Sequence, residues 1–448
     1  MGLTMNRAAY GDSGALSLRQ GPAMSEPAIH LCQFCQSELI ESLVDLGSMA
    51  LANSYVLPGQ AAAFEKAYPL HVRVCSECRL AQVATATEPF EIFSDYAYFS
   101  SYSSSWLEHA QRFCEMAHAR WNLNSTSMVV EIASNDGYLL RNFVAAGVPV
   151  LGVEPAANIA RVAEEIGVPT DVAFFGRATA ERLRESGYSA DLLVGNNVFA
   201  HVPDLNDFVS GLAHLLKPDG VISLEFPHLL QLIENSQFDT IYHEHFSYLS
   251  LYTTERVFAR YGLRVFDVEE LPTHGGSLRI LATHRGSTAH PEGLGLAKVR
   301  SDELAAHLHE PAGYRGFDAK VAAIRDGLVG FLTKAKAEGK QVVGYGAAAK
   351  GNTLLNYCSV TSDLIPYVAD LNPHKQGKLL PGSHIPVVAP DEIARTRPDY
   401  VLILPWNIKD EVMASLGDVR SWGGKFVVAI PQLAVIEPEP RSVSVAMA

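Results

Sequence analysis

Two cysteine pairs, Cys32-x-x-Cys35 and Cys75-x-x-Cys78, constrain the fold of this chain more than any other feature. Thiolates at this spacing hold one metal ion between two knuckle turns, and tetrahedral zinc is the usual occupant. The pairs stand 39 residues apart, more than a minimal zinc ribbon needs, so a small domain is expected between them. Four thiolates leave no open coordination position. The expected metal is therefore structural, stabilising a unit too small to build its own core. Redox dithiols are the alternative.

The 448 residues suffice for two or three domains. Apolar content of 48% and charged content of 19% describe a globular protein. A formal net charge of −14 disfavours nucleic acid as a partner, because phosphate binding needs a basic face. No apolar run approaches the roughly 18 residues of a membrane span, and the start lacks a basic-then-apolar signal pattern. Only Cys114 and Cys358 lie outside the pairs. That is no disulfide framework and suits a reducing cytoplasm. Nothing sets the oligomeric state, and a monomer fits the composition.

Local patterns divide the chain. Residues 1–27 are expected to be a disordered leader, with Met24 as an alternative start. Residues 28–92 hold the cysteine pairs and short strands such as Tyr68–Val74. An aromatic and Ser-rich stretch, Phe93 to Trp106, leads into a helix expected over Trp106–Trp121. From Met128 strands alternate with helices: Met128–Ile132, Val150–Glu154, Asp191–Gly195 and Gly220–Phe226, which argues for a parallel sheet. Leu263–Val268 and Gly276–Thr283 then follow as an antiparallel pair, the ending of a class I methyltransferase sheet. The central domain is placed at 93–290 and a helical connector at 291–338. A second Rossmann-like unit at 339–448 begins with Gln341–Gly351. The tail from Pro438 is expected to fray.

Three patterns carry chemistry. In Glu131-Ile-Ala-Ser134-Asn135-Asp136-Gly137 a strand enters a helix through a turn that lets a ligand approach closely. Glu154, ending the next strand, suits the two hydroxyls of a ribose. The turn is too acidic for a pyrophosphate and favours a cationic sulfonium with an amino group. Asn196 and Asn197 end a strand at the same edge, where they meet the cofactor's amino acid part or cap a turn. Tyr242-His243-Glu244-His245-Phe-Ser-Tyr248 gathers groups for proton transfer; a second metal site or a buried polar cluster are the competing readings. Finally, Gly344-x-Gly346-x-x-Ala349-x-Gly351, with Asp370 beyond, looks like a dinucleotide fingerprint. Taken alone it points to an NAD(P)-dependent oxidoreductase. Lys350 and Asn352 in the same turn could instead grip a diphosphate.

Together with His-Gly-Gly-Ser-Leu-Arg (274–279), these motifs resemble the zinc-containing C-methyltransferases of nucleotide-linked 4-keto-deoxysugars, over roughly residues 30–435. The resemblance implies an α/β protein with three parts: a small zinc-binding N-terminal domain, a class I S-adenosylmethionine-dependent central domain, and a Rossmann-like C-terminal domain that helps hold a nucleotide-sugar. It implies that Tyr242, Glu244 and His245 line the sugar site. In that chemistry His245 takes a proton from C3 and Tyr242 hydrogen-bonds the C4 oxygen. Glu244 orients the imidazole or binds a substituent. Methylation at C5 follows similar logic. Tyr98 and Tyr102, with Tyr96, are expected to close over the sugar, with His243 beside them.

Overall fold

Strand β1 (Glu41–Met49) pairs antiparallel with β2 (Tyr68–Val74), and β2 with β3 (Ala81–Val83). In β2, Leu70, Val72 and Val74 are fully buried, the period-2 alternation of a strand with one face on a core. The computed structural model describes residues 30–59, 65–83, 100–102 and 104–437. The leader, the start at Met24, Tyr96, Tyr98 and the tail from Pro438 lie outside them. A fourth strand joins this small sheet from far along the chain: Ser247 pairs with Gln82 and Tyr248 with Ala81. The end of the Tyr242–Tyr248 motif is thus a strand of the cysteine-bearing unit.

The central sheet contains β4 (Val129–Ile132), β5 (Val150–Val153), β6 (Thr170–Asp171), β7 (Ala190–Asn196) and β8 (Leu216–Pro227). After β9 (Ser247–Tyr248), which belongs to the first sheet, come β10 (Leu263–Leu271) and β11 (Ser277–His284). The order is β10-β11-β8-β7-β4-β5-β6. Strands β4 to β8 run parallel, and β11 is antiparallel to both β8 and β10. This is the class I methyltransferase topology. Every residue of β4 and β5 is buried, which is why these parallel strands are apolar but for Glu131 of β4.

The third sheet is built from β12 (Val342–Tyr345), β13 (Val368–Ala369), β14 (Val387–Val388), β15 (Tyr400–Ile403), β16 (Lys425–Val428) and β17 (Ala434–Ile436). Its order is β14-β13-β12-β15-β16-β17, parallel except for the last pair. The helix Phe317–Ala337 buries Phe317, Val321, Ile324, Leu328, Leu332 and Ala335, a stripe at steps of three and four. One continuous core joins that stripe to Leu43 and Val72 of the first sheet and to Val342 and Leu402 of the third. Cys32, Phe34 and Leu80 pack instead with Phe226, Val257 and Phe258 of the central unit. The cysteine-bearing unit is therefore wedged against both larger sheets. Among the described residues no helix is long and apolar enough to cross a membrane.

Candidate active site

The four cysteines converge because both knuckles fold alike. Gln36 and Arg79, each following a pair, take left-handed backbone (φ 64° for both). Their N–H groups return to the Cys32 and Cys75 carbonyls at 3.0 and 3.1 Å. Cys32 and Cys78 sulfurs lie 3.5 Å apart, those of Cys35 and Cys75 3.4 Å, and all four within 4.8 Å. A metal held roughly 2.3 Å from each sulfur sets the sulfurs roughly 3.8 Å apart, so the set fits tetrahedral zinc. Gln82 donates to the Cys32 sulfur at 3.3 Å.

At the carboxyl ends of β4, β5 and β7 the chain builds a strained crevice. Ala133, Asn135, Gly137 and Asn197 all have positive φ (50–77°), a conformation held only where its surroundings require it. Glu154 anchors the turn: its two oxygens accept the Asn135 and Ala156 N–H groups at 3.0 and 2.9 Å. Asn135 and Asp136 accept N–H groups of Ser100 and Ser101, which pins the segment arriving from the aromatic stretch over the turn. Glu131 is fully buried beneath, facing the Tyr138 hydroxyl, and burial pushes its pKa well above the carboxylate range. Ser134 Oγ, Asp136 Oδ1, Asn196 Oδ1 and Asn197 Oδ1 are buried without a protein partner. Such acceptors along one sheet edge suit a ligand with a cationic amino group and hydroxyls, and so fit S-adenosylmethionine.

Beyond β7, where the central sheet meets the third, four rings gather. His245 Nδ1 lies 2.8 Å from the Thr240 carbonyl. A carbonyl only accepts, so Nδ1 carries the hydrogen and Nε2 the lone pair. The ring packs 4.6 Å from His201 and 4.0 Å from Tyr242. Burial, then the nearby His201, holds the His245 pKa well below its usual value. Burial likewise lowers His201 and His274 to about 4 each. His274 sits in a left-handed turn (φ 55°) and accepts from Asn197 Nδ2 at 3.0 Å, linking this cluster to the cofactor crevice. The next residue must be glycine: a Cβ at Gly275 (φ 92°) would strike the Trp406 ring.

Lys350 joins the cluster from the third sheet. Its Nζ donates to Asn407 at 2.8 Å and lies 5.0 Å above the Trp406 ring. Burial lowers its pKa, opposed by Asp239, which accepts the Trp406 indole N–H at 2.7 Å. Asn352 is not beside Lys350. At about 100° per residue, positions two apart on a helix point in nearly opposite directions. Its amide donates instead to the Ala52 carbonyl at 2.6 Å. His243 also departs from the expected grouping: its Nε2 meets the Tyr68 carbonyl at 3.1 Å, on the side of the cysteine-bearing unit. Tyr102 closes a single 3-10 turn, Ser100–Tyr102.

Glu244 faces the junction but does not orient His245, whose ring is held by Thr240. It accepts from Asn53 Nδ2 at 2.6 Å, and burial raises its pKa to about 6. Asp370 follows β13 where a dinucleotide fold places its ribose acid. Its oxygens, however, accept Ala347 N–H at 2.7 Å and Asn372 N–H at 2.8 Å. Lys375 donates to the Ala347 carbonyl at 2.7 Å, and Tyr55 donates to the same oxygen. The Asp370 contacts match those of Glu154, but here Tyr55 and Lys375 close over the Ala347 carbonyl at the mouth of the turn, which weakens the oxidoreductase reading. His201, Asp239 and Trp406 were not singled out by motif; His201 alone carries a sequence signal, its place just past the Asn196–Asn197 strand end.

Three family models match consecutive stretches: a zinc binding domain over residues 32–93, a methyltransferase domain over 106–268 and a C-methyltransferase C-terminal domain over 272–431. The C-methyltransferase NovU of Streptomyces niveus is 36% identical over 408 residues, 91% of this chain and 97% of that one. A ubiquinone biosynthesis O-methyltransferase of Bartonella bacilliformis is 30% identical over 95 residues, 21% of this chain and 38% of that protein. Among solved structures, magnesium protoporphyrin IX methyltransferase from Synechocystis PCC 6803 with bound SAM is similar at 15% identity and a TM-score of 0.31, over 40% of this chain and 79% of that one. The chain belongs to the family of S-adenosylmethionine-dependent C-methyltransferases with a zinc-binding N-terminal domain.

Proposed function

We propose that this enzyme methylates a nucleotide-linked 4-keto-deoxysugar at C3, the carbon beside the ketone, and that its units divide as the sequence patterns suggest, into a zinc unit, a methyl-donor unit and a nucleotide-sugar unit. The observation that supports this most is His245: a buried, neutral imidazole whose Nε2 lone pair is left for a substrate proton by the Thr240 contact. Carbon–carbon bond formation needs a carbanion equivalent, and a hydrogen next to a ketone is acidic enough when the enolate is stabilised. Bound S-adenosylmethionine supplies an electrophilic methyl group on a sulfonium. His245 Nε2 takes the C3 proton. The Tyr242 hydroxyl donates to the C4 oxygen as it gains charge. Lys350 meets the negative charge of the nucleotide's diphosphate. Glu244 binds a sugar substituent.

The test is a panel of 4-keto nucleotide-sugars incubated with S-adenosylmethionine and analysed by mass spectrometry and NMR. A single added methyl on C3 is the expected product. Methylation on oxygen, or at C5, would displace the reading. The cofactor assignment has its own check. Glu154→Ala removes the acceptor of two backbone N–H groups as well as a ribose partner. Calorimetry should show S-adenosylhomocysteine binding weakened about 10-fold or more, from hydrogen bonds to a charged group worth roughly 1.5–3 kcal/mol each. Unchanged affinity, or tight NADH binding, would contradict the assignment.

A further inference from the structure

The loop after β1 leaves the zinc-binding unit and enters the junction between the two larger sheets. Within five residues it makes four contacts there. The Ala52 carbonyl accepts from Asn352, and Asn53 Nδ2 donates to Glu244 Oε1, each at 2.6 Å. Tyr55 donates to the Ala347 carbonyl, and Val56 pairs antiparallel with Leu379 through N–H···O contacts of 3.0 and 2.8 Å. A group fastened on both sides in this way is pre-organised. Glu244 is 5% exposed, and a buried carboxylate is costly to ionise without a donor. Burial drives its pKa upward, and the Asn53 amide opposes that drive. The Tyr55 hydroxyl is the titratable side chain facing it from the loop. From the central unit, His201 reaches its backbone carbonyl.

We propose that Asn53 is a positioning residue for Glu244, so that the zinc-binding unit supplies part of the active site itself. This rests on the sugar-site role given to Glu244 above. Asn53 makes one strong hydrogen bond to the ionised carboxylate, which fixes its direction and favours its charge. Turnover then depends on a residue 191 positions away in sequence from the carboxylate it serves.

The experiment uses the full chain with its zinc retained. Asn53→Ala removes the donor; Asn53→Asp keeps the shape and places a second carboxylate against Glu244. The titration of Glu244 is read from its infrared carboxyl band, identified by its loss in Glu244→Gln. Removing a donor to the charged form raises a carboxyl pKa. The midpoint should therefore rise by about one pH unit in the alanine variant and further in the aspartate variant. At pH 7 a midpoint moved from about 6 to about 7 lowers the ionised fraction roughly 2-fold, and kcat should fall by at least that factor, with KM for the methyl donor and zinc content unchanged, and the acid limb of the pH–rate profile should move with the band. Midpoints equal to wild type in both variants, in zinc-replete protein, would overturn the proposal. Wild-type turnover in Glu244→Gln would sink the sugar-site reading of Glu244 instead, while a shifted midpoint in the Asn53 variants would still stand.

Discussion

His245→Asn should abolish methyl transfer while leaving S-adenosylhomocysteine and nucleotide-sugar binding close to wild type. Asparagine at 245 can still donate to the Thr240 carbonyl, so the backbone turn around His245 keeps its anchor. What it lacks is a basic lone pair aimed at the substrate. Positioned proton transfer contributes about 10²–10⁴-fold, and a loss confined to the transition state appears in kcat and not in KM. A second readout separates chemistry from methyl transfer. With a slow or absent methyl donor, the wild-type enzyme should exchange the C3 hydrogen of its substrate with solvent deuterium, and the variant should not. Tyr242→Phe should slow the same exchange by about 10²–10³-fold, as loss of one donor to an oxyanion does. Exchange that persists in His245→Asn would move the base to His201, which lies 4.6 Å away.

Removing the metal should have a larger effect on stability than any single substitution in the site. Purified enzyme is expected to hold about one zinc per chain and to shield Cys32, Cys35, Cys75 and Cys78 from thiol reagents. Structural zinc binds with apparent free energies of roughly 10–16 kcal/mol at neutral pH, comparable to the roughly 5–15 kcal/mol that separates a folded domain from its unfolded chain. Chelation, or Cys75→Ser, should therefore unfold β1–β3 outright. The damage should spread, because β3 pairs with Ser247 and Tyr248, immediately after His245. Hydrogen exchange should show residues 30–83 losing protection first and 242–249 with them, while β4 and β5 keep theirs. Protein without zinc whose four thiols titrate freely, and whose activity is normal, would refute the site.

The parts legible in the sequence are those with a local physical signature. Cysteine spacing announced the knuckles because the metal dictates it. Val129–Ile132 and Val150–Val153 were legible because parallel strands covered on both faces are largely apolar, Glu131 being the exception. The antiparallel ending at β10 and β11 showed in the missing helix between them. The helix over Ser104–Trp121 differs from the expected one by two residues at its start. What was not legible depends on contacts between distant segments. Nothing near Asn53 points to Glu244. The two-residue β9 is too short to leave a periodic trace. That His243 faces Tyr68 while His245 faces His201 follows from the turn they share, not from their chemistry. The dinucleotide-like fingerprint misled for a related reason: its glycines are real, but Tyr55, from a loop 292 positions away, and Lys375 close over the Ala347 carbonyl in that turn.

The pairing of β3 with β9 also bears on how the chain is made. Strands β1 to β3 are joined by neighbours in sequence, so they can close around their metal early in synthesis. The strand that completes their sheet is translated some 164 positions after Val83, from Gln82 opposite Ser247. At about 5–20 residues per second this is a delay of roughly 8–30 s. Through that interval the open edge is only three residues long, a length that gives other chains little to pair with. The metal-bearing unit then serves as a template onto which the Tyr242–Tyr248 segment is laid, and zinc supply at the time of translation decides whether that template is ready.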